Sequence, residues 1–92
     1  MPSIEKQLVV ANKKGLHARP AALFVQIAEK FNVEMTVAKG AEKVNGKSIM
    51  GLLTLGIQGD TPLTLIVEGD KAEAAMAEFV DFFSKQEEEL SP

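Results

Sequence analysis

The chain contains no cysteine, tryptophan or tyrosine. The absence of cysteine excludes disulfides, thiolate nucleophiles and cysteine-ligated zinc sites, and it is typical of a reducing compartment. No apolar run approaches the roughly 18 residues that a membrane-spanning helix needs, and residues 1–6 lack the charged-then-apolar order of a signal peptide. We therefore expect a cytoplasmic protein without membrane insertion.

The first half of the chain has few acidic residues, and the second half has few basic residues. Residues 1–50 carry eight Lys or Arg against four Asp or Glu, whereas residues 51–92 carry two against nine. The basic half includes Lys13, Lys14 and Arg19, and it can attract phosphate groups or an acidic partner surface. Nucleic acid is not the expected partner, because the chain has no Trp or Tyr to stack on bases and its net charge is −3.

A chain of 92 residues suffices for one small domain, which buries roughly 60 to 65% of its unfolded surface. A lone histidine without cysteine or spaced carboxylates makes a poor metal site, and the glycines form no nucleotide-binding loop. We therefore expect neither a metal nor a cofactor. The acidic residues 87–89 would oppose the dipole of a preceding helix, so we expect the tail to fray from about residue 86.

Apolar periodicity and turn residues predict seven elements in the order strand, helix, strand, strand, helix, strand, helix. Their predicted bounds are 4–11, 18–31, 33–37, 42–44, 49–55, 63–67 and 71–85. The second and third strands flank Gly40 and are expected to pair as a hairpin. Since the strands are apolar on one face, we predict an α+β fold in which three helices cover one side of an antiparallel sheet.

The single histidine, His17, lies where the first strand pattern gives way to the first helical pattern. Backbone N–H groups at a helix start have no intrahelical partner and the dipole is positive there, so this position favours an anion. Pro20 fits the first turn, where its missing N–H costs nothing. With His17 at or beside the N-cap, the N–H groups of Ala18 and Arg19 can meet an anion. His17 is then placed to carry a phosphoryl group; the alternative is an ordinary surface or capping histidine.

Two segments resemble the HPr family of phosphocarrier proteins. Residues 15–22, GLHARPAA, are similar to the family's active-site signature, and residues 45–52, NGKSIMGL, are similar to its regulatory-serine segment. The strand and helix signals follow the family's order over nearly the whole chain. The resemblance implies a βαββαβα open-faced β-sandwich with a four-stranded antiparallel sheet, in a single domain over residues 1–92.

The resemblance also implies roles for individual residues. His17 would accept the phosphoryl group on Nδ1, and Arg19 would stabilise the phosphate. Lys14 departs from the small polar residue, Asn or Ser, that is often found three positions before the histidine. Ser48 would be the serine that HPr kinase/phosphorylase phosphorylates, although Ser is a preferred N-cap residue and capping alone would explain it.

The apolar stretch 49–55 carries more hydrophobic residues than a helix that only caps a core would need. Leu52 and Leu55 are expected to face inward. The resemblance implies a docking surface, shared by several partners, that is formed by Ala18, Ala22, Ile49, Met50 and Leu53. For Ile49, Met50 and Leu53 the alternative is simple packing in the core.

The resemblance implies a stoichiometric phosphocarrier rather than an enzyme. The chain would take a phosphoryl group from phosphorylated enzyme I and pass it to IIA components of sugar phosphotransferase permeases, acting as a monomer. One alternative is the nitrogen-branch phosphocarrier, which acts on a regulatory IIA protein and which the chain also resembles at Asn12, Lys13 and residues 45–51. Another is a regulatory binding module read through Ser48. Retention of His17 counts against that module, because regulatory members of the family can lose the histidine.

Overall fold

The computed structural model describes residues 2–86, in which three helices cover one face of a four-stranded sheet. The elements are β1 (Ser3–Val9), α1 (Ala18–Phe31), β2 (Glu34–Lys39), β3 (Glu42–Asn45), α2 (Ile49–Thr54), β4 (Pro62–Glu68) and α3 (Ala72–Phe83). All strand pairs are antiparallel, in the order β1-β4-β2-β3. The predicted α+β open-faced sandwich is confirmed, including the hairpin between β2 and β3.

The central strand β4 shows why only one face of the sheet is covered. Leu63, Leu65 and Val67 are buried in the hydrophobic core, whereas Thr64 and Ile66 are half-buried on the opposite face. This alternation follows from the two-residue repeat of a strand. The core therefore lies between the sheet and the helices.

Aromatic packing joins α1 to α3. The ring of Phe24 is fully buried, and its centroid lies 4.9 Å from that of Phe79 and 5.3 Å from that of Phe83. The ring of Phe82 is also buried, with its centroid 5.9 Å from that of Phe24. Full burial of a phenylalanine contributes about 1.5–3 kcal/mol, so the four rings anchor α3 firmly against α1.

The first strand is shorter than predicted. It ends at Val9 rather than at residue 11, because the chain leaves β4 soon after this residue. The N–H of Val10 donates to the carbonyl of Thr61 (3.0 Å), and the N–H of Ala11 donates to the carbonyl of Phe83 (2.9 Å). Thr61 immediately precedes β4, whereas Phe83 is the last residue of α3, so the chain turns from β4 to the end of α3 at Ala11.

Other boundaries also shift by a few residues. β2 continues to Lys39 because it pairs with β3 up to the hairpin turn. α2 ends at Thr54 and α3 at Phe83, earlier than predicted, because the N–H groups that follow bond three residues back instead of four. Such tighter turns are common where an α-helix ends.

Two predictions concern the C-terminal residues and membrane insertion. Gln86, where the tail was predicted to begin to fray, is hydrogen-bonded to Ala11 and Lys13. The acidic residues 87–89 lie outside the described residues. Within residues 2–86, no helix combines the length and the apolar character that a membrane crossing requires.

Candidate functional site

The loop from residue 10 to residue 17, called the histidine loop below, carries the predicted phosphoryl acceptor at its end. The N–H of Leu16 donates to the carbonyl of Ile57 (2.9 Å), so the loop lies directly against the segment that follows α2. Gly15 has a φ of 71°, and a Cβ at this position would collide with the carbonyl oxygen of Ile57. Glycine is therefore required at position 15 both for its left-handed backbone and for this close approach.

Asn12 holds the turn inside the histidine loop. Its side chain is buried; Nδ2 donates to the carbonyl of Gly15 (3.0 Å), and Oδ1 accepts from the N–H of Lys14 (3.3 Å). The N–H of Gly15 donates back to the carbonyl of Asn12 (2.9 Å). The sequence analysis assigned no such role to Asn12. The available signal was an Asn placed to bond the backbone of its own turn, which ends in Gly15.

His17 is the N-cap residue of α1, with φ −98° and ψ −166°. Its carbonyl accepts the first intrahelical hydrogen bond, from the N–H of Ala21 (2.9 Å), while its side chain makes no capping bond to the helix. The N–H groups of Ala18 and Arg19 precede that first bond and belong to the unpaired donors of a helix start. The side chain of His17 is exposed. The geometry thus places an exposed ring at an anion-favouring helix end, and the side chain makes no capping hydrogen bond. Its role as the phosphoryl acceptor stays a prediction.

The first turn of α1 carries three more of the predicted residues. Ala18 and Arg19 are exposed and Ala22 is half-buried, while Pro20 is buried beneath them. Ala18 and Ala22 are four residues apart, so they lie on one face of the helix. A guanidinium at Arg19 can donate two parallel hydrogen bonds to phosphate oxygens. Cationic, apolar and nucleophilic groups therefore occur together at this helix end.

Ser48 caps α2, as its residue type predicts. Its Oγ accepts from the N–H of Gly51 (3.0 Å), and its own N–H donates to the carbonyl of Asn45 (3.0 Å). A Cβ on Gly51 would lie 3.2 Å from this Oγ, so the glycine keeps space around the hydroxyl. The side chain of Ser48 is half-buried. The cap is confirmed as a structural role, and it leaves phosphorylation as a separate prediction.

α2 turns one side outward and the other into the core. Three large apolar side chains are exposed, and they are called the α2 patch below: Ile49 (38% exposed), Met50 (72%) and Leu53 (36%). Leu52 and Leu55 are buried, as predicted. α2 packs against α1, the helix that follows His17. For the three residues of the patch, the alternative of simple core packing is therefore wrong.

Two lysines make contacts between β2 and the segments that flank α2. The Nζ of Lys39, at the end of β2, donates to the carbonyls of Leu55 (2.9 Å) and Gly56 (3.3 Å) just after the helix. The Nζ of Lys47 lies 3.6 Å from Oε2 of Glu34 at the start of β2. A cation at a helix C-terminus complements its dipole, so Lys39 stabilises the element that carries the patch. Sequence reasoning had assigned no role to Lys39.

Comparison with known sequences places this geometry in a family. Residues 4–85 match the family model described as the PTS HPr component phosphorylation site. The chain is 48% identical over 83 residues to the HPr-like protein Crh of Halalkalibacterium halodurans, which covers 90% of this chain and 99% of that protein. The match therefore extends over almost the full length of both proteins.

Solved structures show the same fold. The phosphocarrier protein HPr from Bacillus anthracis superposes with a TM-score of 0.83 at 40% identity, covering 88% of this chain and 96% of that one. An HPr dimer from Thermoanaerobacter tengcongensis gives a TM-score of 0.69 at 45% identity, covering 92% of this chain and 94% of that one. Because the family model matches residues 4–85, which is most of the chain, this chain belongs to the HPr family of phosphocarrier proteins.

Proposed function

We propose that this chain relays a phosphoryl group through His17, from phosphorylated enzyme I to IIA components of sugar phosphotransferase permeases. The observation that carries the proposal is the exposed imidazole at the N-cap of α1, which takes no part in capping its own helix. Membership of a family of phosphocarriers supports it. The proposed carrier is stoichiometric rather than catalytic, and it acts as a monomer in the cytoplasm so that it can undock quickly between partners.

The proposed transfer exchanges one bond to phosphorus for another. A lone pair on Nδ1 of His17 attacks phosphorus, and the N–P bond forms while the bond from phosphorus to the donor's leaving atom breaks. That electron pair stays with the donor, and the ring keeps its proton on Nε2. In the second transfer the N–P bond breaks and its electrons return to Nδ1, so the carrier is regenerated without any redox change.

The surroundings of His17 suit a loose phosphoryl-transfer transition state. In such a state the protein mainly positions the nucleophile and offsets charge on the phosphoryl oxygens. Three hydrogen-bond donors follow within two residues of His17: the N–H groups of Ala18 and Arg19 and the guanidinium of Arg19. Hydrogen bonds from fixed donors to developing charge are an effective form of stabilisation.

Partner docking is proposed to use the α2 patch together with Ala18 and Ala22. Three large apolar side chains are exposed on one short helix, and this helix packs against α1. Apolar surface of this kind often marks an interaction site, and a methionine adapts to differently shaped partners. One surface could then serve both the donor and the acceptor in turn.

Ser48 is proposed to regulate this docking. Phosphate on its hydroxyl would add about −1.5 to −2 charge next to Ile49 and Met50, while also favouring the helix start that the serine caps. The added charge and its water would disfavour apolar docking, so phosphoserine 48 should slow phosphorylation of His17. Equal rates for the unmodified protein and a pure phosphoserine form would remove this proposal.

Intact mass spectrometry tests the relay directly. The full chain is incubated with phosphoenolpyruvate and enzyme I, and a His17→Ala variant and an acid-treated aliquot run in parallel. We expect a gain of about 80 Da that acid removes and that the variant lacks, as for a phosphate on nitrogen. Subsequent transfer to IIA proteins of the sugar and nitrogen branches then identifies the acceptor. A folded wild type that gains no mass with an active enzyme I would contradict the proposal.

A regulatory module is the second candidate. The observation that favours it is the 48% identity to the HPr-like protein Crh over almost its whole length. Such a module would bind its partner through phosphorylated Ser48 without using His17. The His17→Ala variant separates the two candidates: a module keeps its partner binding in the phosphoserine form, whereas a carrier loses transfer to IIA.

A further inference from the structure

The residue after α3 reaches back to the histidine loop. The side-chain amide of Gln86 makes two hydrogen bonds to loop backbone: Nε2 donates to the carbonyl of Ala11 (2.7 Å), and Oε1 accepts from the N–H of Lys13 (3.0 Å). One amide group therefore satisfies a donor and an acceptor on either side of Asn12. An uncharged amide can donate and accept at once, whereas a carboxylate only accepts and an apolar side chain does neither.

The platform that holds Gln86 is rigid. The carbonyl of Phe83 accepts the N–H of Ala11 (2.9 Å), so the end of α3 contacts the same stretch of the loop through its backbone as well. The buried rings of Phe79, Phe82 and Phe83 pack on Phe24 and fix α3 in the core. Gln86 thus connects the histidine loop to a helix that is fixed in the core.

The other contacts of the histidine loop do not provide an acceptor for the N–H of Lys13, and Gln86 provides it. Asn12 closes the turn from inside, and Leu16 is held by the carbonyl of Ile57. The N–H of Lys13 has its acceptor in Gln86, not in the turn itself. His17 follows four residues after Lys13, so a change in the path of the loop at this point alters the entry of the chain into α1.

We infer that Gln86 is a positioning residue for phosphoryl transfer: by clamping Ala11 and Lys13, it holds the histidine loop in the conformation that aims His17 at the phosphoryl donor. This inference rests on the proposed function. In this role Gln86 acts through the loop backbone to which it is hydrogen-bonded, and it is not a member of the α2 patch. Its effect belongs to the transfer step and not to docking.

Three variants of the full chain test the clamp. Gln86→Met removes both hydrogen bonds and keeps the length of the side chain. Gln86→Glu keeps an acceptor for the N–H of Lys13 but sets a carboxylate oxygen against the carbonyl of Ala11. Gln7→Met is the matched control, because Gln7 is an exposed glutamine on β1, opposite Thr64. Circular dichroism melts establish that each variant is folded at the assay temperature.

The kinetic readout is the initial rate of His17 phosphorylation by phosphorylated enzyme I over a range of carrier concentrations. For Gln86→Met we expect kcat to fall about fivefold, with KM changed by less than about twofold, because fewer molecules hold the competent loop conformation. Gln86→Glu should lie between this variant and the wild type. Gln7→Met should match the wild type in both constants.

Amide hydrogen exchange supplies a local readout that a general loss of stability would not reproduce. In Gln86→Met the N–H of Lys13 should exchange faster while that of Leu16 stays protected. In Gln86→Glu the N–H of Lys13 should remain protected. Rescue of this protection by an acceptor alone would show that the clamp, and not the bulk of the side chain, orders the loop.

The outcomes separate this inference from the proposed function. Unchanged kcat in a folded Gln86→Met, or a loss confined to KM, would overturn the positioning role while leaving the relay intact. Unchanged exchange at Lys13 would overturn the clamp itself. A wild type that accepts no phosphate would overturn both the relay and the positioning role.

Discussion

At the scale of single residues, Arg19 lies two positions after His17 with its side chain exposed in the first turn of α1. We expect Arg19→Ala to slow phosphoryl transfer about 10- to 100-fold, because a donor to the transferring phosphoryl oxygens is lost. Arg19→Lys should recover part of the rate, since an ammonium offers a charge but not a planar fork. Rapid-quench transfer assays measure both variants. Lys71→Ala, which removes an exposed cation at the start of α3, is the control, and a rate for Arg19→Ala equal to it would contradict the role.

Gly15 and Gly40 form a matched pair of residues with φ of 71° and 60°. A Cβ at Gly40 would meet nothing within 4 Å, whereas one at Gly15 would collide with the backbone of Ile57 and Gln58. We expect Gly40→Ala to cost about 1–2 kcal/mol in the free energy of unfolding, from the left-handed backbone alone. Gly15→Ala should cost about 1–3 kcal/mol more, because backbone must move to relieve overpacking. Urea unfolding measures the difference, and equal losses would show that the contact with Ile57 yields easily.

At the scale of one element, α2 presents its patch to solvent, and Met50 is its most exposed member at 72%. We expect Met50→Asp to raise the KM for phosphorylation by enzyme I about tenfold, because a charge is placed in an apolar docking surface. The stability of the protein should change by less than about 0.5 kcal/mol, since the side chain packs little in the free protein. Val9→Asp is the control, because Val9 is an exposed apolar residue on β1 and 56% exposed. An equal rise in KM for Val9→Asp would show that charge alone, and not the patch, is responsible.

At the scale of the whole molecule, the aromatic contacts between α1 and α3 form the centre of the core and fix the end of α3. Phe79 is fully buried against Phe24, while Phe31 at the end of α1 is only half-buried. We expect Phe79→Ala to lower the free energy of unfolding by about 3–5 kcal/mol, through lost burial and a cavity. Phe31→Ala should cost less than half as much. Chemical denaturation checks the order, and a larger loss at Phe31 would contradict this description of the core.

Several elements could be predicted because their signals are local. The bounds of α1 match the prediction, since the apolar repeat, Pro20 in the first turn and Asn32 at the end all act within one or two helical turns. Asn32 ends the helix in a left-handed conformation, with φ 52°. The cap at Ser48 and the hairpin across Gly40 are of the same kind. Each depends on residues that are neighbours along the chain.

The residue types of the candidate site could also be predicted from a short stretch of sequence. His17, Arg19 and the two alanines occur within six residues, and one turn of helix suffices to bring them together. The inward side of α2 was expected from the sequence, whereas the degree of exposure of each residue in the α2 patch required the structure, because exposure depends on how α2 packs against the rest of the molecule.

The sequence by itself determined the order of the elements, the place of His17 at the start of α1 and the cap of α2 at Ser48, because periodicity, helix ends and residue chemistry act over short distances. Only the tertiary structure decided how the histidine loop is held. The acceptor for Leu16 lies in the segment after α2, and Gln86 contacts Ala11 across 75 residues. Such contacts depend on how the sheet and helices pack, so no local pattern along the chain specifies them.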